Sequence, residues 1–354
     1  MSGESALRAE VRRRLDAQTK PPGSLGFLEE LVACMAEARG VVEVKVDPVA
    51  VVIFAADHGV CVRGVSAYPQ EVTRQMVLNF ARGGAAASVL ARELGVGLTV
   101  VDCGVVGGRF VEVPERRGFR FEEARAGEGT TDFLVGPAMS EEQFDGLWDA
   151  GRRVALEAIV AGAETLVAGE MGIGNTTSAT ALACGLGFGD AESLVGRGTG
   201  VGEEGVLRKR GVVEESLRRH VPVQPLAGVA LMRYWLSCVG GFEMVAMAGF
   251  FQAALEARKV VVVDGFIASA VAAAVSIGYP QVSGGFIFAH VSGERGHRVL
   301  LERMGVRALL DLGMRLGEAT GALVAIPLLR QAAALYCGMA TFKTAGVSDS
   351  SGLF

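Results

Sequence analysis

The stretch Val49-Ala-Val-Val-Ile-Phe-Ala-Ala-Asp57-His58-Gly59 sets the class of fold. Eight apolar residues run without a polar break and then give way to two titratable side chains and a glycine. A short apolar run without alternation suits a strand buried on both faces, and such strands belong to parallel sheets covered by helices. The same pattern returns at 98–102, 165–168, 260–264 and 286–289, with helix-compatible stretches between most of them. Strands alternating with helices predict an α/β fold. In such sheets the ligand sits beyond the carboxyl ends of the strands. That places Asp57-His58-Gly59, Asp102-Cys103-Gly104, Glu170-Met-Gly-Ile-Gly174, Asp264-Gly265 and His290 on one rim.

Outward from the strands, both chain ends read as helical. Residues 4–19 and 27–39 form two helices, the second burying Leu28, Leu31, Val32 and Met35 at i, i+3, i+4, i+7 spacing. Lys20-Pro-Pro-Gly-Ser-Leu-Gly26 between them is a rigid turn, because two prolines and a glycine oppose helix. The tail from about residue 306 is expected to be mostly helical, kinked near Pro327, with Ser348-Asp-Ser-Ser-Gly352 frayed.

The 354 residues are half hydrophobic and 21% charged, enough to bury a sizeable core. The apolar stretch 265–279 falls short of the ~18 residues a spanning helix needs, so no membrane span is expected. The first residues, with Glu4, Arg8 and Glu10, lack the apolar centre of a signal peptide. Six cysteines lie far apart without a C-x-x-C pair, which suits a reducing compartment and so the cytoplasm. A net charge of −5 leaves no electrostatic footprint for nucleic acid. The doublet Arg116-Arg117 reads as a solvated loop.

Chemistry concentrates in a few segments. Gly169-Glu-Met-Gly-Ile-Gly-Asn-Thr-Thr177 follows a strand and precedes a helix. Its glycines can turn backbone N–H groups toward an anion at the helix N-terminus. The other reading is a tight turn with a helix cap from Asn175 or Thr176. Gly196-Arg-Gly-Thr-Gly200 is a second such turn, and Lys209 in the helix after it is either a point charge for the same phosphate or a solvated surface lysine. Asp264 is either a hydroxyl or base contact or a helix cap. It lacks the paired acid that magnesium-pyrophosphate sugar donors call for. Asp57, His58, Asp264, His290 and His297 could be read as a metal site or as hydrogen-bonded structural groups, although their spacing fits no metal motif. Glu318 lies among apolar and small residues of Asp311-Leu-Gly-Met-Arg-Leu-Gly-Glu-Ala-Thr-Gly-Ala322. It is either a desolvated proton acceptor or the cap of a helix starting near Thr320.

Several segments together resemble the nicotinate-nucleotide–dimethylbenzimidazole phosphoribosyltransferase family (CobT-type). They are Lys20–Gly26, Ala55-Ala-Asp-His-Gly-Val60, Gly64-Val-Ser-Ala-Tyr-Pro-Gln-Glu-Val-Thr73, Gly136-Pro-Ala-Met139, 169–177, Gly240-Gly-Phe-Glu243, Val263-Asp-Gly-Phe266 and Leu316-Gly-Glu-Ala-Thr-Gly-Ala322, in the family's order. The resemblance implies a Rossmann-like parallel sheet flanked by helices, here residues 41–304. It also implies a small helical domain built from both chain ends, 1–40 and 305–354, and a homodimer.

The resemblance assigns the general base to Glu318 and a second carboxylate beside the phosphoribosyl site to Glu170. Phosphoribosyl contacts fall on Gly172, Asn175, Thr176, Gly198, Gly200, Lys209, Asp264, Ser292 and Arg315, and base contacts on Ser66, Tyr68, Gln75 and Met76. The implied partners are nicotinate mononucleotide and a benzimidazole, with neither metal nor cofactor. Two departures fall in the site loops: Ala289 stands where the family usually has serine, and Ala319 where it usually has glycine. The rival readings are a metal-dependent hydrolase on Asp57, His58, Asp264 and His290, and a nucleotide-binding sensor without chemistry.

Overall fold

The computed structural model describes residues 5–198 and 200–348; positions 349–352 of the tail expected to fray lie outside them. Six strands, β1 (Val49–Ala56), β2 (Gly97–Gly104), β3 (Phe119–Glu123), β4 (Thr165–Met171), β5 (Val260–Val263) and β6 (Phe286–Phe288), form one sheet. Every pairing is parallel, in the order β3-β2-β1-β4-β5-β6. Helices α1 (Ala6–Asp16), α2 (Phe27–Arg39), α3 (Glu71–Arg82), α4 (Ala86–Glu93), α5 (Glu141–Val160), α6 (Asn175–Gly185) and α7 (Ala191–Leu194) come first along the chain. They are followed by α8 (Glu203–Arg219), α9 (Gly228–Val239), α10 (Phe242–Glu256), α11 (Phe266–Gly278), α12 (Arg295–Met304), α13 (Thr320–Gly338) and α14 (Phe342–Ala345).

The period of two along each strand divides the core. Val52, Phe54 and Ala56 of β1 pack into one cluster with residues of α5, α6, α9, α10 and α11. Val49, Val51, Ile53 and Ala55 face a second cluster with residues of α1, α2, α3, α4 and α13. Burial on both faces is why the strand reads as one apolar run. Helix α10 is buried from Phe242 to Leu255. A Cβ on Gly249 would collide with the carbonyl oxygen of Trp148, and one on Gly151 with that of Ala246, so α5 and α10 touch backbone to backbone.

Three features depart from the sequence reading. Strand β3 went unread, because an edge strand spelled Phe-Arg-Phe-Glu-Glu carries charge where the buried strands carry valine. Arg116 beside it is half-buried rather than solvated, donating to the carbonyl of Ala81 at 3.2 Å near the end of α3. The stretch 306–319 is not helical. Leu309 and Leu310 donate to the carbonyls of Phe288 and Ala289, both at 3.0 Å, and so cover the β6 edge.

A further correction concerns length. Among the described residues one helix, α13 rather than the stretch 265–279, is long and apolar enough by length and composition to cross a membrane. Half of it is buried in the fold, against α2, α4 and β4.

Candidate functional site

The strand order reverses between β1 and β4, and a crevice opens at such a switch point beyond the carboxyl ends. Here it is a cavity of about 550 Å³. Glu170, Gly172, Asn175, Thr176, Gly198, Ser292, Arg315 and Glu318 line it, together with the largely apolar Tyr68, Val72, Met76, Met171, Ile173 and Leu316.

The polar part is built on the two glycine turns. Gly174, with φ 98°, precedes α6, whose first turn no side chain caps. That excludes Asn175 and Thr176 as caps; the N–H groups of Asn175 and Thr177 turn back to the carbonyls of Gly172 and Gly174 at 3.1 and 3.0 Å, and the positive end of the helix dipole favours an anion here. Lys209 donates to the Thr176 hydroxyl at 2.9 Å. A Cβ on Gly198 would stand 2.8 Å from both the lysine nitrogen and that hydroxyl, so the second turn must be glycine to approach them. Arg315 donates to the Gly198 carbonyl at 3.4 Å, tying the C-terminal segment to the same turn.

Lys209 is 1% exposed, which overturns the surface reading; burial pushes its pKa down to about 8, against the pull of Glu294. An ammonium held this way gains from an arriving phosphate. The Ser292 hydroxyl accepts from the N–H of Glu294 at 3.2 Å. Gly200 does not line the cavity; its N–H turns back to the Arg197 carbonyl at 3.0 Å.

Glu318 sits 5% exposed at φ 61°, followed by Ala319 at φ 62°. Two left-handed residues in a row turn the carboxylate into the cavity before α13 begins. Alanine in this region is strained by about 1–2 kcal/mol, which glycine would avoid. Burial, with a smaller push from Asp264, raises the Glu318 pKa to about 7, and its Oε2 has no hydrogen-bond partner. Glu318 does not cap α13. That task falls to Asp264, which accepts from the N–H of Ala322 at 2.9 Å and does not line the cavity. Glu170 is buried beside it. Burial, together with the Asp264, Glu243 and Glu318 carboxylates, holds the Glu170 carboxyl well above the usual range, and the Asn175 amide donates to it.

Tyr68 and Met76 line the cavity, whereas Ser66 and Gln75 do not. The Ser66 hydroxyl accepts from the N–H of Tyr68 at 3.1 Å, shaping the turn, and Gln75 faces solvent. Residues unread in the sequence include Val72, whose i, i+4 spacing to Met76 on α3 was the available signal. The others are Phe266, Ile267, Ala268, Glu294 and Leu316, whereas Met171, Ile173, Gly265 and His290, placed on the strand rim by the sequence, do line the cavity.

The four groups of the hydrolase reading do not converge. Asp57 accepts from Thr73 and Val106, and His58 pairs with Ser178 and Glu243, whereas Asp264 caps α13 with His290 3.9 Å away, so the four fall into two separate pairs. Among the described residues no cluster of three or more His, Cys, Asp or Glu is arranged to hold a metal ion.

Residues 2–347 match the family described as "Phosphoribosyltransferase" (DBI_PRT). The nicotinate-nucleotide–dimethylbenzimidazole phosphoribosyltransferase of Thermus thermophilus is 48% identical over 341 residues, covering 96% of this chain and 98% of that protein. The protein of the same name from Pseudomonas aeruginosa is 44% identical over 343 residues, covering 97% and 95%. The crystal structure of CobT from Thermus thermophilus superposes with a TM-score of 0.89 at 46% identity, covering 98% of this chain and 100% of that one.

Proposed function

The chain belongs to this phosphoribosyltransferase family, and from that premise we propose that it moves 5-phosphoribosyl from nicotinate mononucleotide to 5,6-dimethylbenzimidazole, a step in cobalamin lower-ligand synthesis. The observation that carries the reading is Glu318, a buried carboxylate in the cavity lining with a pKa of about 7 and one oxygen without a hydrogen-bond partner.

The donor's pyridine nitrogen is quaternised. When the bond to C1′ breaks, the electron pair leaves with nicotinate and no general acid is required. The benzimidazole lone pair forms the new bond from the opposite face, inverting C1′ to the α-ribotide. The proton on its other nitrogen passes to Glu318. General-base catalysis contributes roughly 10²- to 10⁴-fold, and fixed orientation of the two rings at least as much. Glu170 lies beside the base, its carboxyl held well above the usual range by burial and the neighbouring carboxylates. Gly172, Asn175, Thr176, Gly198, Lys209, Ser292 and Arg315 hold the sugar phosphate, with Gly200 and Asp264 shaping their surroundings. Tyr68 and Met76 contact the benzimidazole, Ser66 shapes the turn that carries Tyr68, and Gln75, which faces solvent, makes no contact. The sugar already carries its phosphate, so pyrophosphate and magnesium are not required.

The chain ends, 1–40 and 305–354, act as the part that delivers the base, and the enzyme works as a cytoplasmic homodimer. The dimer is carried over from the resemblance, and six unpaired cysteines support the compartment. The test is incubation with nicotinate mononucleotide and a panel of bases, with mass spectrometry for α-ribotides. Donor binding without nicotinate release would point instead to the sensor.

A further inference from the structure

Asp57 and His58 close β1 and lie outside the cavity lining, yet each reaches toward the first glycine turn. One carboxylate oxygen of Asp57 accepts from the Thr73 hydroxyl at 2.7 Å. That hydroxyl in turn accepts from the N–H of Ile173 at 3.1 Å. His58 bridges the other way, Nδ1 to the Ser178 hydroxyl at 2.9 Å and Nε2 to Glu243 at 2.8 Å. All five side chains are at most 1% exposed. The turn is pressed onto this frame. A Cβ on Gly172 would collide with the Ala56 carbonyl and stand 3.1 Å from His58 Nε2, and one on Gly174 would stand 3.2 Å from His58 Cβ.

We infer that Asp57, His58, Thr73, Ser178 and Glu243 are positioning residues, a clamp that fixes residues 172–174 against both α3 and α6. The inference rests on the transferase reading. Val72 and Met76, on either side of Thr73 along α3, line the apolar part of the cavity; Asn175 and Thr176, just before Ser178 on α6, line the polar part. One buried network therefore sets the distance between the two substrate seats. In-line attack depends on that distance, since a shift of about 1 Å can cost roughly a hundredfold in rate.

The experiment compares full-length parental protein with Thr73→Val, Thr73→Ser, Ser178→Ala and Ser88→Ala, measuring kcat, KM for each substrate and the thermal midpoint. Ser88 is an equally buried hydroxyl that donates to the Phe80 carbonyl at 2.9 Å, away from the turn. Thr73→Val leaves two buried groups unpaired, so kcat should fall roughly ten- to a hundredfold and the donor KM should rise. Thr73→Ser should recover most of the loss, and Ser178→Ala should move in the same direction. Ser88→Ala should lower the midpoint yet keep kcat and both KM values.

Parental kinetics in Thr73→Val, or a loss that Ser88→Ala reproduces at equal midpoint, would overturn the clamp. Should Thr73→Val not fold, Ser178→Ala is read by the same criterion. A parental protein that forms no ribotide sinks the transferase reading, whereas active parental protein with unaffected variants sinks the clamp alone.

Discussion

A Cβ placed on Gly169 would collide with the main-chain nitrogen of Ala319 and stand 2.7 Å from the Ala319 Cβ. Strand β4, which carries Glu170, thus touches the turn that carries Glu318 at a position only glycine can fill. Gly169→Ala should push the turn outward and lower kcat by about a hundredfold, since catalytic groups tolerate little displacement. Steady-state kinetics at saturating substrates checks this. Parental turnover would mean that the turn yields without moving the carboxylate.

The pH dependence follows from two buried groups. Glu318 accepts a proton only when ionised, above its pKa of about 7. Lys209 is cationic in the free enzyme below about 8. The profile of kcat/KM for the donor should therefore be a narrow bell, rising through about 7 and falling through about 8. Lys209→Met should raise the donor KM roughly ten- to a hundredfold, as for a lost charged hydrogen bond, and should remove the alkaline limb.

Glu318 also bears on stability. Its folded pKa lies above the ordinary carboxylate value of 4.5, so the folded state binds the proton more tightly than the unfolded chain. Stability then falls as pH rises from 4.5 to about 7 and stays lowered above it, by up to about 3 kcal/mol. Glu318→Gln should abolish that dependence and raise the melting temperature at pH 8. Melting curves of both proteins at pH 5 and pH 8 provide the comparison, and an unchanged difference between them would remove the burial argument.

Much of this site was legible in the sequence, for identifiable reasons. Strands β1, β2, β4, β5 and β6 announce themselves because burial on both faces demands unbroken apolar runs. The charged edge strand β3 does not, since solvent permits Arg120 and Glu123 there. Residues 306–319 carry leucines that suit a helix, and only their pairing with β6 makes them extended. Lys209 looks like a surface residue because its burial depends on Gly198 and Thr176, brought near by the fold. Asp264 and Glu318 each had a capping alternative. The positive φ values at 318 and 319 divide the roles, giving the cap to Asp264 and the cavity to Glu318.

The acceptor side makes a separable prediction. Met76 lines the cavity, whereas Gln75 faces solvent. Met76→Ala should raise the KM for dimethylbenzimidazole roughly tenfold, from lost apolar contact, with the donor KM little changed. Gln75→Ala should leave both values near parental. Titration of each substrate against a saturating partner separates the two outcomes.

The most direct measurement is the rate of α-ribotide formation by Glu318→Gln, quenched and quantified by mass spectrometry with both substrates saturating. The account predicts a variant that binds both substrates yet turns over at least about a hundredfold more slowly than the parental enzyme. Turnover within a few-fold of parental would show that the proton leaves by another route, and Glu318 would lose its place as the base.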